Sequence, residues 1–267
     1  MKEYLVRPGG KVELAACDAN DTGDFLGNKQ QAKQETGRLN ERLQVLQELL
    51  YAEHRHKILV VLQGMDTSGK DGAIRHVFEG VNPQGVRVAN FKEPTQEELD
   101  HDFLWRVHKQ VPAKGELVIF NRSQYEEVLI VRVHELVPRH VWEKRYDQIN
   151  AFESLLAGTG TTILKIYLHI DKDEEKKRLQ ARLDNPNKQW KFHRGDLQER
   201  KLWPTYENPY EDVLNKTSTE AAPWFIVPAN HKWYRDWVIA RTLVEQLDRL
   251  GMKYPEPEES LDGIVIE

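Results

Sequence analysis

The sequence predicts an α/β fold in which a five-stranded parallel sheet carries helices on both faces. Three observations predict it. Short continuous apolar runs recur five times along the 267 residues, stretches with helical spacing separate them, and the first run leads into a glycine-rich loop that opens a helix. A run that is apolar at every position suits a strand buried on both faces. Strands alternating with helices imply a parallel sheet covered on both sides.

Residues 1–27 read as an irregular lead-in rich in Gly and Asp, with strand-like pieces at 4–6 and 12–14. From 28 to about 56 the pattern is helical: Leu39, Leu43, Leu46 and Leu50 fall on one face. That face suits packing on the core or on a second subunit. The five strands are expected at 58–62, 86–91, 117–120, 163–170 and 224–227. Between them, Ile74, Val77, Phe78 and Val81 mark a helix after Lys70. Thr95 with Glu98 forms a capping box that opens another, and a third runs from 139 to 157 behind Pro138. The last helix is expected from 233 to 252. The organisation is one domain at 28–252 with a lid at about 172–201, followed by a loose tail at 253–267.

Composition narrows the function. The apolar fraction of 39% and the mean hydropathy of -0.68 describe a soluble globular chain. No apolar run reaches the roughly 20 residues of a membrane helix, and the first residues lack the apolar core of a signal peptide. Cys17 stands alone, so the chain has no internal disulfide, and a cytoplasmic location is expected. A net charge of -5 argues against a general nucleic-acid binder. Between Lys172 and Lys201, however, ten Lys/Arg face six Asp/Glu, a local excess of +4. Such a segment can be a solvated helix with internal ion pairs, or it can follow a polyanion.

The loop Gly64-Met65-Asp66-Thr67-Ser68-Gly69-Lys70-Asp71 satisfies G-x-x-x-x-G-K and departs only at Asp71, where Ser or Thr is usual. Its glycines allow the tight turn that aims backbone N–H groups at phosphate oxygens, Lys70 neutralises them, and the next helix adds its positive end. A carboxylate at Asp66 is odd in a plain phosphate cradle and sensible as a magnesium ligand; it can also simply shape the turn.

The third strand ends in Asn121-Arg122-Ser123, at the edge where open α/β sheets gather their active groups. Asn121 stands where a magnesium-holding carboxylate is ordinary; as a second metal candidate it can accept from a metal-bound water, but without charge. Arg122 offers a planar fork for phosphate oxygens. Arg106, in the helix opened by Thr95, either reaches an acceptor phosphate or pairs with a neighbouring carboxylate. The stretch "NPNKQWKFHRG" at 185–195 combines Lys188, Lys191 and Arg194 with Trp190 and Phe192, which suits a mobile lid. Arg178 and Arg182 lie one helical turn apart just before it, and both can face one anion. Lys29 and Lys33 of the first helix extend the same cationic track.

These residues resemble the family-2 polyphosphate kinases, which have a P-loop kinase fold. The resemblance runs from about 29 to 235 and includes "VVLQGMDTSGKDGAIRHVFEGVNPQGVRVANF", "PTQEELDHDFLWRVHKQVPAKGELVIFNRSQYEEVL", "RLDNPNKQWKF" and "VPANHKWYR". Most members have Asp at the position of Asn121. Asn121 with Glu126 resembles the subgroup acting on both nucleoside mono- and diphosphates. The resemblance implies phosphoryl transfer between inorganic polyphosphate and AMP/ADP or GMP/GDP, with magnesium or, as an alternative ion, manganese. It implies metal and phosphate binding by Asp66, phosphate binding by Lys70, phosphoryl-transfer roles for Arg122 and the lid arginines, and a homodimer or homotetramer. The alternatives are an ATP-dependent nucleoside monophosphate kinase and a nucleotide-binding regulatory switch, which needs no cationic donor track.

Overall fold

A computed structural model describes residues 3–23 and 25–266. Met1, Lys2 and Asp24 of the expected lead-in, and Glu267 of the expected tail, lie outside the described residues. The elements in chain order are α1 (Lys29–Glu53), β1 (Lys57–Gln63), α2 (Lys70–Val77), β2 (Val86–Asn90), α3 (Gln96–Leu99), α4 (Trp105–His108) and β3 (Leu117–Asn121). They continue with α5 (Ile130–Val133), α6 (Arg139–Gly158), β4 (Thr161–His169), α7 (Lys172–Leu183), α8 (Arg194–Lys201), α9 (Trp203–Thr217), β5 (Trp224–Pro228) and α10 (Lys232–Asp248).

The five strands form one sheet in the order β2-β3-β1-β4-β5, with every pair parallel. β1 is central, and its residues from Ile58 to Gln63 are buried, which is why its sequence is apolar without alternation. One face is covered by α1, α2 and α10, the other by α5, α6 and α9. Leu43, Leu46 and Leu50 of α1 are buried, and α1 packs along α10. The leucine face therefore belongs to the chain's own core. The chain leaves β1 for β2 on one side and returns to β4 on the other. A crevice opens at the carboxyl ends of β1, β3 and β4, where sheets of this kind hold ligands.

The structure departs from the expectations in three places. The Thr95 capping box is formed, but α3 lasts a single turn. Asp102 then restarts the chain, accepting from Leu104 N at 3.0 Å through its side chain and from Trp105 N at 3.0 Å through its carbonyl, so Arg106 sits in the separate helix α4. The lead-in is irregular yet tied down: Val6 N donates to Trp224 O and Ile226 N to Tyr4 O, both at 2.8 Å, and Leu14 N donates to Glu211 at 2.7 Å. Residues 12–14 form no strand; a 3-10 turn at Leu14–Ala16 takes their place. Finally, α9 was not anticipated, because Pro204 and Pro209 argue against a helix. Pro204 falls in the first turn, where its missing N–H costs nothing. The buried Trp203, Tyr206, Tyr210, Val213, Leu214 and Thr217 carry the 3.6-residue period that reveals the helix.

Candidate active site

The loop between β1 and α2 is bent back by residues that tolerate it. Gly64 has φ +153°, and a Cβ there would lie 2.7 Å from Ser68 Oγ and 2.8 Å from Leu168 O. Gly69 has φ +102°, and a Cβ there would collide with Arg235 Nη1. Only glycine fits either position. Thr67 also adopts a left-handed conformation, with φ +62°, and its buried hydroxyl has no hydrogen-bond partner. Ser68 N donates to Met65 O at 3.1 Å and closes the turn.

Lys70 folds over this loop rather than into solvent. Its Nζ donates to Gly64 O at 2.7 Å and to Met65 O at 3.3 Å, and the residue is 8% exposed. Burial, followed by the nearby Arg122 charge, pushes the ammonium down to about 8, against the raising influence of Asp66, Glu126 and Asp71. A bound anion would raise its proton affinity again.

Two buried arginines brace the loop. Arg178 Nη1 donates to Thr67 O at 2.9 Å and Ser68 O at 2.8 Å, its Nη2 to Ala229 O at 2.5 Å and its Nε to Glu174 at 2.7 Å. Arg235 Nη1 donates to Gly69 O at 3.1 Å, while its other nitrogens bond Asp236. With their carbonyls occupied by guanidinium donors, the loop's peptide units hold one orientation without a ligand. Sequence reasoning gave Arg235 no role, although it stands just beyond β5, at the carboxyl edge of the sheet. Lys232, at the start of α10, was also missed. Burial, then Arg178 and Arg235, lower its affinity for a proton, which reveals a cationic cluster at that edge.

Facing the loop, Arg122 ends the β3 segment in a left-handed conformation with φ +61°. Its Nη2 donates to Asp66 Oδ1 at 2.7 Å, and its Nη1 lies 3.7 Å from Glu126. The Glu126 charge is the largest influence raising its pKa. The structure thus brings Asp66, Lys70, Arg122 and Glu126 together. Asn121 Nδ2 donates to Asp71 Oδ1 and to Asn90 Oδ1, both at 2.9 Å. Burial alone would raise Asp71, but the Asn121 hydrogen bond and the Lys191 ammonium at 3.3 Å outweigh it and hold the carboxyl below its usual range.

The segment expected as a lid consists of α7, a 3-10 turn at Gln189–Lys191, and α8. Arg178 and Arg182, expected to face one anion, diverge. Arg178 turns to the loop's carbonyls, whereas Arg182 Nη1 approaches Asp196 at 3.4 Å and Lys191 O at 3.5 Å. Lys188 and Arg194 are exposed, as are Lys29 and Lys33 on the first turns of α1. Arg106 pairs with Glu98 at 3.1 Å, donates to Lys92 O at 2.8 Å, and lies 5.3 Å from the Phe91 ring. Beside the loop, Met65 borders a cavity of about 630 Å³ walled by Trp203, Tyr206 and Tyr210, with Asp18 and Glu207 on its rim.

Among the described residues no group of three or more His, Cys, Asp or Glu could hold a metal ion unaided. Magnesium needs no such cage. It is commonly held by one or two carboxylates, with water and substrate phosphates completing its shell. Asp66 and Glu126, hard oxygen donors beside the phosphate loop, fit that requirement.

Loops of this construction serve proteins that handle phosphoryl groups, and the class defined here is a P-loop phosphotransferase. The sequence model of the family described as polyphosphate kinase 2 matches residues 27–255, and the chain belongs to that family. It is 60% identical over its whole length, and the relative's whole length, to the AMP/ADP-polyphosphate phosphotransferase of Meiothermus ruber. It is 44% identical to the ADP-polyphosphate phosphotransferase of Rhodopseudomonas palustris, over 96% of this chain and 92% of that one. The crystal structure of polyphosphate kinase 2 from Arthrobacter aurescens superposes with a TM-score of 0.91 at 45% identity, covering 96% of this chain and 95% of that chain. No helix among the described residues is long and apolar enough to cross a membrane.

Proposed function

We infer that the chain transfers phosphoryl groups between inorganic polyphosphate and nucleoside mono- and diphosphates. One observation carries the reading: the braced phosphate loop with its buried Lys70 faces Arg122 across a gap spanned by the 2.7 Å Arg122–Asp66 bond. The reading is supported by this pair of cations, one on either side of the point where two polyanions are proposed to meet end to end.

In-line phosphoryl transfer asks a protein mainly for positioning and charge stabilisation. The loop's N–H groups and Lys70 hold one phosphate chain, and Arg122 exchanges Asp66 for oxygens of the other. Arg178 and Arg235 keep the loop in shape and do not themselves need to touch the transferring group. Lys188, Lys191 and Arg194, with Lys29 and Lys33, are proposed to guide the polyphosphate, and Arg106 with Glu126 to border the nucleotide. Magnesium, or manganese in its place, would be held by Asp66 together with Glu126 and would neutralise charge on the bound phosphates. Asn121 is engaged with Asp71 and Asn90, so its part is to set the Asp71 carboxylate rather than to hold metal. For a homodimer or homotetramer the α1 leucine face is not the available surface, since α10 covers it.

The test is an incubation with magnesium, AMP, ADP, GMP or GDP as acceptor, and either polyphosphate or ATP as sole donor, resolved by chromatography. Di- and triphosphates formed from polyphosphate are expected. Transfer from ATP alone would establish an ordinary nucleoside monophosphate kinase instead. In Asp66→Asn the magnesium titration should move to higher concentration; an unchanged titration returns Asp66 to a turn-shaping role.

A further inference from the structure

Behind the sheet edge lies a buried charge network that the transfer reaction does not itself use. Lys165, on β4, and Glu153, on α6, are 0% and 1% exposed and form a 2.6 Å ion pair. Lys165 Nζ also donates to Tyr125 OH at 2.8 Å and to the Thr217 carbonyl of α9 at 2.6 Å. Glu153 Oε1 accepts from Tyr125 OH at 2.6 Å and from Gln124 Nε2 at 2.9 Å. Burial lowers the Lys165 ammonium's proton affinity, and the Glu153 carboxylate opposes the loss.

Stability alone does not account for such a pair. Taking two charges out of water costs about as much as their attraction returns, and apolar side chains of equal volume often serve as well. What distinguishes this pair is what it grips. Gln124 and Tyr125 follow Arg122 by two and three residues, and Ser123, between Arg122 and Gln124, is held from β1 by Gln63 Nε2 at 3.1 Å. Arg122 is a non-glycine residue at φ +61°, a conformation that persists only where its surroundings over-determine it. Three consecutive side chains, anchored from β1, α6 and β4, with Lys165 in turn tied to α9, supply that over-determination.

We propose that the buried Lys165–Glu153–Tyr125 network is a positioning device that holds Arg122 in its left-handed conformation and so aims its guanidinium across the phosphate loop. The inference rests on the phosphotransferase reading, and wild-type turnover with polyphosphate and AMP checks that reading separately before any variant is compared.

The deciding experiment is a double-mutant cycle between Tyr125→Phe and Arg122→Ala, with kcat and KM normalised to folded protein. Tyr125→Phe keeps the ring and removes only the hydroxyl that bridges Lys165 and Glu153. In the wild-type background it should lower kcat about tenfold while both KM values stay within about twofold. In the Arg122→Ala background it should change kcat less than twofold, because the residue being aimed is gone. An equal loss in both backgrounds, or a kcat per folded molecule unchanged by Tyr125→Phe, overturns the proposal. Gln124→Leu, which removes a single hydrogen bond to Glu153, runs the same cycle should Tyr125→Phe not fold.

Discussion

The phosphate loop and the segment beyond α7, proposed as a lid, are built in opposite ways. The loop's carbonyls are held by guanidinium groups 7% and 1% exposed at the side chain, and its lysine is almost wholly covered. Arg178 of α7 belongs to that buried bracing, whereas the segment beyond α7 meets the loop through the ion pair of Lys191 with Asp71, whose side chains are 38% and 68% exposed, and its Trp190 is 72% exposed. Buried, hydrogen-bonded charges fix one geometry, whereas an exposed pair contributes about 0–1 kcal/mol and is readily exchanged. The difference teaches a division of labour. The loop is organised before substrate arrives, and the proposed lid beyond α7 costs little to rearrange.

If the loop is the preorganised half, damage there should be the most severe. Lys70→Ala should reduce kcat on the order of a thousandfold, the scale for removing a preorganised charge from a developing transition state, while thermal unfolding shows a folded protein. Turnover close to wild type would move the reaction away from this loop. Arg178→Met should come next. It strips two loop carbonyls and Ala229 O of their donor, which by the usual cost of lost charged hydrogen bonds amounts to about 2–4 kcal/mol of stability. Denaturant unfolding checks the stability, and a fall in kcat beyond the unfolded fraction would show that the bracing serves the chemistry. An unaltered midpoint would contradict the bracing altogether.

The loop was legible in the sequence because its requirements are local. Gly64, Gly69 and Lys70 stand at fixed spacing between an apolar run and an amphipathic helix, and each answers to backbone geometry within a few residues. β1, β3, β4 and β5 were legible for the same reason, since burial on both faces leaves a mostly apolar run, whereas in the edge strand β2 only Ala89 is buried. What braces the loop was not. Arg178 looked like a lid arginine because helical spacing to Arg182 says nothing of which partner each meets, and Arg235 acts on Gly69 O across 166 positions. Helix α9 was hidden by prolines whose placement in the helix only the fold determines. The Lys165–Glu153 pair escaped because a lysine inside a strand pattern reads as a break in burial until its partners are seen.

Acidity sharpens the contrast further, because the loop's lysine titrates near working pH and its two consequences run in opposite directions. With the free-enzyme ammonium at about 8, kcat/KM should fall roughly tenfold per pH unit above that point as Lys70 loses the charge that binds phosphate. Stability moves the other way. The folded pKa lies below the ordinary lysine value of 10.5, so between about pH 8 and 10.5 the unfolded chain binds more protons. The contribution of Lys70 to stability of the free protein therefore increases as pH rises through that window. A pH series of kcat/KM and of unfolding midpoints, compared with Lys70→Met, reads both. A descending limb that persists unchanged in the variant's residual activity would assign it to another group.

The smallest effects should come from the lid, and they should depend on substrate length. Lys188→Ala with Lys191→Ala removes two cations from the segment proposed to follow polyphosphate and also cuts the single tie to Asp71. An exposed charge near an anion is worth no more than about 1 kcal/mol, so each loss is a few-fold in KM rather than an abolition of turnover. A long chain touches both positions and a short one only the loop, so KM should rise several-fold for long polyphosphate and little for short chains, with kcat preserved for both. Added salt should shrink the difference, since these charges are screened. Asp71→Asn separates the tie from the track: it releases Lys191 without removing a cation, and should lower KM for long chains slightly by freeing that ammonium for phosphate. An equal KM increase at every chain length in the double variant would leave the lid as a cover for the loop and dismiss it as a track.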